Sequence, residues 1–241
     1  MRYLMLLMVA FAGCSQNDGA VDTSLKPLEV RCAHPEQAEG DWRCGEERTV
    51  ECTHHEGGTE EAIYVEGGEA CDAGTYQLSD VGPYSRGDHT LIVSQDDAPV
   101  CQSVLHVVDT TPPVAHPRDV QLWSPNHKWH TLAPADCVDI DDACDADVEV
   151  HFTWATSDEA EDGQGDGHTH PDIEVGCDTV RLRAERSGGG DGRIYHVGFI
   201  ARDDAGNTTE GACTIHVPHD QGGHDVVDSG EAVRVPAADC E

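Results

Sequence analysis

Carboxylates and thiols are the side chains of this sequence best suited to chemistry, and the carboxylates come in clusters. Asp136, Asp139, Asp141, Asp142, Asp145 and Asp147 crowd one stretch, and Asp158, Glu159, Glu161, Asp162, Asp166 and Asp172 crowd a second. Hard divalent cations want several oxygen ligands, about 6–8 for Ca²⁺, so both stretches carry the right donor type. Neither has the ligand spacing of an EF-hand loop, and the competing reading is a solvated acidic surface. The 15 His include His168-Thr169-His170, whose imidazoles share a face on an extended backbone, and His219 and His224 beside Asp220 and Asp225. Zinc or copper suits such donors, against the plainer reading of polar, titratable loops.

Catalytic signatures are missing. There is no G-x-S-x-G elbow, P-loop, dinucleotide fingerprint or H-E-x-x-H helix. Paired carboxylates would suit glycoside hydrolysis, but no single pair stands out from the rest. Gly188-Gly189-Gly190-Asp191-Gly192 reads as a hairpin loop rather than a phosphate cradle. Trp123 and Trp129 flank Pro125-Asn126-His127-Lys128, either as an exposed pair for stacking on sugars or as packing on a sheet edge. The expectation is therefore no enzyme. The alternative is a surface carbohydrate-binding or carbohydrate-processing protein that uses an acidic loop and an exposed Trp.

The 11 Cys are dispersed and form no C-x-x-C pair, which excludes a zinc ribbon or thioredoxin-like motif. Dispersed cysteines of this kind form disulfides, which require an oxidising compartment. The formal net charge of -33 repels phosphates and makes nucleic acid a poor partner. It also keeps the chain off anionic headgroups unless an anchor holds it there.

Such an anchor is legible at the N-terminus. Arg2 precedes an apolar run from Tyr3 to Phe11, shorter than the roughly 20 residues that span a bilayer and right for the h-region of a signal peptide. The run ends in Phe11-Ala12-Gly13-Cys14 and then turns polar. This end resembles the bacterial lipobox, which implies a signal peptide over residues 1–13 and lipid attachment at Cys14. An ordinary secretory signal with a free Cys is the alternative. Residues 14–27 follow as a tether rich in small and polar residues. The localisation expected is the cell envelope, lipid-anchored at the outer membrane or cell surface, with the membrane as partner and an extracellular protein or glycan as ligand.

The elements that must position these groups are short strands. Val148, Val150, Phe152 and Trp154 alternate, as do Tyr195, Val197, Phe199 and Ala201, and no segment keeps a 3.6-residue apolar period. In the first half, 48–52, 63–65, 75–78, 89–95 and 100–108 read as strands. Many short strands punctuated by Gly, Asp and Pro predict an all-β chain of β-sandwiches. Asp109-Thr110-Thr111-Pro112-Pro113 is the clearest internal boundary, because consecutive prolines favour an extended, stiff connection. On each side a strand, an acidic turn and a Cys-bearing strand recur: Thr90–Val93, Asp96-Asp97 and Cys101, then Tyr195–Gly198, Asp203-Asp204 and Cys213. Self-similarity of this kind points to duplicated modules.

The second unit resembles the immunoglobulin-like HYR-type modules of bacterial surface proteins. The residues that carry the resemblance are Asp109-Thr110-Thr111-Pro112-Pro113, Asp142-Ala143-Cys144-Asp145 and Asp203-Asp204-Ala205-Gly206-Asn207 before Cys213. Leu122-Trp123-Ser124-Pro125-Asn126-His127-Lys128 adds to them. The resemblance covers about residues 109–221 and extends loosely to the first unit. It implies two tandem immunoglobulin-like β-sandwiches, at 28–108 and 109–221, with 222–241 as a C-terminal tail. It also implies an extracellular role in spacing, adhesion or ligand binding.

That assumed topology predicts disulfides. It pairs Cys144 with Cys213 and, by the repeat, Cys52 with Cys101. Cys137 would then meet Cys240 and pin the tail, and Cys32 would close a hairpin with Cys44. Cys71 and Cys177 are left either to bridge the units or to stay free. The same topology brings three distant segments to one pole and predicts a calcium site there. Its ligands would be Asp109 from the hinge, Asp141, Asp142 and Asp145 from the loop after strand B, and Asp203, Asp204 and the Asn207 carbonyl from the F–G turn. A lengthened segment at 155–176 would place Asp158 and Glu159 in a separate, weaker site.

Overall fold

Alternating burial along the strands sets the architecture, as the sequence pattern requires. The computed structural model describes residues 29–33, 42–52, 62–66, 76–80, 82, 84–167 and 169–238. Described elements are almost all strands, so the chain is all-β. The signal-like segment, Cys14, the tether, Cys71 and Cys240 lie outside the described residues, as does the side chain of Cys32. No helix among the described residues is long and apolar enough to cross a membrane.

The first unit holds β1 (Glu29–Ala33), β2 (Trp42–Arg43), β3 (Glu47–Glu51), β4 (Ala62–Glu66), β5 (Tyr76–Leu78), β6 (Gly87–Gln95) and β7 (Ala98–Val108). A four-stranded sheet runs β3-β7-β6-β5, and a three-stranded sheet runs β1-β4-β2. The long β6–β7 hairpin is antiparallel and turns at Asp96 and Asp97, both with positive φ. Asp tolerates that left-handed backbone better than most side chains, which is why an acidic pair can serve as the turn. Leu91, Val93, Leu105 and Val107 alternate inward from this hairpin and pack with Tyr84 and Cys52.

The second unit opens with β8 (Val114–Pro117), β9 (Asp119–Gln121), β10 (Trp129–Leu132), a single helical turn α1 (Pro134–Cys137) and β11 (Val138–Asp141). It continues with β12 (Glu149–Ser157), β13 (Ile173–Val175), β14 (Val180–Arg183), β15 (Gly192–Arg202), β16 (Thr208–Pro218) and β17 (Val233–Pro236). A five-stranded sheet runs β17-β12-β15-β16-β9, faced by β10-β14-β13 and the pair β11-β8. Phe152, Tyr195, Val197, Phe199, Ile215 and Val217 fill the core from the large sheet, and Val180 and Leu182 meet them from the small one. Gly198 is obligatory in the central strand, because a Cβ there would meet the Trp154 indole at 2.2 Å. The segment read as a tail contributes β17, which pairs antiparallel with β12.

Disulfide pairing corrects the sequence reading. Cys44 bonds Cys101, and Cys137 bonds Cys213, with Cα–Cα distances of 6.0 and 5.7 Å. In each unit the cysteine on the returning hairpin strand therefore takes the earlier member of a closely spaced pair, Cys44 rather than Cys52 and Cys137 rather than Cys144. The expected pairs Cys52–Cys101, Cys144–Cys213, Cys137–Cys240 and Cys32–Cys44 are not formed. Burial is the reason: Cys137, at the end of α1, and Cys213 both point into the second core. Cys144 lies beyond the end of β11 and points into the first core instead. It bonds Cys52 across the hinge, with a Cα–Cα distance of 5.8 Å. Cys177 is also disulfide-bonded rather than free.

Candidate functional site: an acidic junction

The junction is assembled from chain ends that have no choice but to meet. Val108 closes β7, Asp109 follows at once, and the backbone N–H of Cys52 donates to the Val108 carbonyl at 2.7 Å. Glu51, at the end of β3, receives the Thr110 N–H at 2.6 Å and the Thr110 and Thr111 hydroxyls at 2.9 and 3.0 Å. These bonds, the Thr110 N–H foremost, favour the ionised form and hold the Glu51 carboxyl below its usual range. Thr-Thr before Pro-Pro thus fastens the hinge to the first unit. The Cys52–Cys144 bond fastens it to the loop after β11.

That loop is wound around Asp142, whose Oδ1 accepts the Cys144 and Asp145 N–H groups at 2.8 and 2.9 Å. The 203–207 turn is wound the same way. Asp203 Oδ1 accepts the Asn207 N–H at 2.8 Å, and Gly206 takes a positive φ to close the turn. The Asn207 side chain donates to Asp203 Oδ2 at 2.9 Å and to the Asp109 carbonyl at 3.2 Å. The Asp204 N–H donates to Asp145 Oδ2 at 2.9 Å. Linker, loop and turn are therefore tied into one cradle by backbone groups and an amide.

Asp109, Asp145 and Asp203 each present a carboxylate oxygen such that all three lie within 4.8 Å of one another. Asp109 and Asp142 make a second such group with the Cys144 sulfur. That sulfur is held in a disulfide and is not a thiolate donor. Asp109 and Asp203 retain only 8% and 4% of their surface. Asp109 Oδ1 accepts the Thr111 N–H at 3.2 Å, while Oδ2 is buried with no hydrogen-bond partner. Burial first, then repulsion from Asp203, Asp142 and Asp145, pushes the Asp109 carboxyl above its usual range.

Two like charges at 4 Å repel by about 4 kcal/mol at the effective dielectric of a protein surface, so this cluster is costly as it stands. A calcium ion binds oxygens at about 2.3–2.6 Å, which puts donors on opposite sides of it roughly 5 Å apart. The observed spread of the three oxygens fits that span. Beside the cluster, Asp141, Asp142, Asp145 and Asp147 line an open concavity of about 410 Å³.

Other predicted ligands are placed differently. Asp141 is exposed and lies 3.1 Å from His116 Nε2. Asp204 contributes its backbone rather than its carboxylate, with its carbonyl accepting from Arg86 at 3.1 Å. The Asn207 carbonyl accepts the Asp203 N–H at 3.2 Å, so Asn207 works as a brace. Sequence reasoning missed Glu51 and Arg86, because neither lies near an acidic run and only the fold carries them to the hinge.

The second acidic stretch is used internally. Asp158 accepts the Ile194 and Ser229 N–H groups at 2.8 and 3.2 Å, and Glu159 Oε2 accepts the Ser187 N–H at 2.7 Å and Arg193 Nε at 3.1 Å. Arg193 is wholly buried and bonds Asp172 Oδ2 at 2.6 Å and the Tyr195 hydroxyl at 3.0 Å. Asp172 Oδ1 and Glu185 Oε1 are buried without a hydrogen bond, with Arg183 Nε 3.4 Å from the first and Arg193 Nη1 3.9 Å from the second. Burial and the facing Glu185 carboxyl push Asp172 up to about 7 against the pull of Arg193. His127 Nδ1 lies 3.0 Å from Glu185 Oε2 and leads from this centre to the surface. Two buried carboxyls against a buried guanidinium make a structural ionic core, not a cation cradle.

His168 lies outside the described residues, and His170 is exposed, 4.0 Å from Asp162. His219 sits 3.5 Å from Asp220. Trp129 is stacked by the guanidinium groups of Arg183 and Arg181, at 4.3 and 4.7 Å from its ring, whereas Trp123 remains exposed. No family model and no curated protein sequence matches this chain.

Proposed function

We propose that this protein is an exported surface module, lipid-anchored through Cys14, in which two immunoglobulin-like β-sandwiches are joined stiffly by calcium and serve a structural, adhesive or ligand-binding role. The observation that carries the reading is buried Asp109, whose Oδ2 has no hydrogen-bond partner and whose carboxylate lies beside those of Asp142, Asp145 and Asp203. An unpaired buried carboxylate oxygen among other carboxylates is expensive, and a hard cation removes both costs together. Calcium suits an all-oxygen set better than zinc, which prefers nitrogen and sulfur. The immunoglobulin-like reading draws support from the five-stranded sheet, in which β9 runs parallel beside β16 at one edge. Every catalytic signature sought is missing from the sequence, which supports a non-enzymatic role.

The test is calorimetric titration of calcium into the soluble form that begins at Ser15, followed by thermal melts with calcium and with chelator. Heat of binding and a higher melting temperature with calcium are expected. A silent titration with an unmoved melt would remove the calcium junction. Fractionation of cells making the Cys14→Ala variant tests the anchor: the variant should leave the membrane fraction or fail to mature, and membrane retention with lipid labelling intact would refute it.

A further inference from the structure

Arg86 stands where a cation is wanted. It immediately precedes β6 in the first unit, yet its guanidinium crosses the junction to the second. Nη2 donates to the Asp204 carbonyl at 3.1 Å, and Nη1 lies 3.7 Å from Asp145 Oδ2. Asp145 is the carboxylate that shares the 4.8 Å cluster with Asp109 and Asp203, and its side chain is only 15% exposed. The guanidinium therefore sits at the rim of the carboxylate cluster and neutralises part of it. It reaches only the rim, and the buried Asp109 Oδ2 stays without a hydrogen-bond partner.

We propose that Arg86 is a built-in counterion that latches the first unit to Asp145 and Asp204 when the junction is empty, and that calcium competes with it for Asp145. The proposal rests on the calcium reading of the same site. An ion between Asp109, Asp145 and Asp203 draws on the same Asp145 carboxylate that lies beside the guanidinium. A fixed positive charge beside that carboxylate weakens its pull on the ion and repels the incoming ion. Two states of the junction follow. Without calcium, a soft polar latch made by one guanidinium joins the units. With calcium, a coordinated junction joins them, and Arg86 keeps only the Asp204 carbonyl. Calcium affinity is thereby set below what the carboxylates alone would give, so the junction responds to calcium rather than remaining always loaded. Arg86 is a tuning residue and not a ligand.

The experiment compares wild type, Arg86→Gln and Arg86→Lys by calcium calorimetry and by thermal melts with and without chelator. Arg86→Gln should bind calcium about fivefold more tightly, the effect of removing one partly exposed charge. It should also melt lower than wild type in chelator but not in calcium. Arg86→Lys, which keeps the charge and loses the fork, should stay near wild type in affinity. Equal or weaker calcium binding by a folded Arg86→Gln, with wild type binding normally, would overturn the competition and leave the calcium junction standing. Absence of calcium binding in wild type and variants alike would overturn both. If Arg86→Gln does not fold, Arg86→Lys decides. An unchanged affinity at pH 7 with a lower melting temperature in chelator supports the latch, and an affinity lowered more than threefold overturns it.

Discussion

Asp109 shows how one residue can carry a site. It is the first residue after β7, so the end of a strand fixes its position rather than a loop. Replacing it with Asn keeps the shape and removes the charge. Asp109→Asn is expected to lose most calcium affinity, yet to melt a few degrees higher than wild type in chelator. The sign follows from linkage. A carboxyl whose folded value is raised contributes stability below its unfolded value and loses it as pH rises through the folded value. Calcium-free wild type should therefore lose stability from this group as pH rises past the ordinary Asp range, and Asp109→Asn should not. Thermal melts in chelator across pH 4–7 check this. Buried Asp172 obeys the same sign further up the scale. With Asp172 pushed up to about 7, its contribution is present in mild acid and fades as pH rises through 7. In Glu185→Gln an amide that can donate replaces the facing carboxyl and removes one cause of the raised Asp172 value, so the melting temperature of that variant, measured in calcium, should vary less between pH 5 and 8. A slope as steep as that of wild type would exclude the Glu185 carboxyl as a cause.

At the level of elements, the two hairpins β6–β7 and β15–β16 do the positioning. Their acidic turns look equivalent in sequence, but only the 203–207 turn lies at the junction and braces the hinge through Asn207. The loop after β11 is held from below by Cys144, which is buried in the first unit's core rather than its own. Cutting the Cys52–Cys144 bond should thus spare each sandwich and loosen the cradle. The double variant Cys52→Ala, Cys144→Ala is expected to lose about 2–4 kcal/mol of chain-entropy stabilisation. It should also bind calcium severalfold more weakly, because Asp142 and Asp145 are no longer fixed beside Asp109. Retained Cys44–Cys101 and Cys137–Cys213 bonds in its non-reduced peptide map, with weaker calorimetric binding, would bear this out. Unchanged affinity would show that the hydrogen bonds alone hold the loop.

Across the whole molecule, a net charge of -33 works against compactness. The disulfides offset this by restricting the unfolded chain, and the internal ionic core does so by setting buried carboxyls against the buried Arg193 guanidinium. The remaining repulsion is between exposed carboxylates and is screened by salt. Melting temperature in chelator should rise steadily as sodium chloride takes the Debye length from about 30 Å to about 3 Å. A flat or falling curve would mean that surface repulsion contributes little to the energetics.

The sequence by itself determined that the chain is all-β, because a period of two is imposed by the pleat and needs no tertiary partner to be read. It also marked the hinge, since Thr-Thr-Pro-Pro restricts the backbone wherever it stands, and it marked which carboxylates were dense enough to matter. Disulfide pairing was not legible, because a thiol's partner is chosen by which core its side chain faces, and Cys137 and Cys144 lie close in sequence yet face different cores. Nor was the division between the two acidic stretches legible. Residues of one type and similar density became a strained junction in one place and ligands of a buried arginine in the other. That difference rests on Arg193 entering the core behind Asp172 and Glu159, while Arg86 reaches only the rim of the hinge. Long-range placement of a few cations is a property of the folded chain alone.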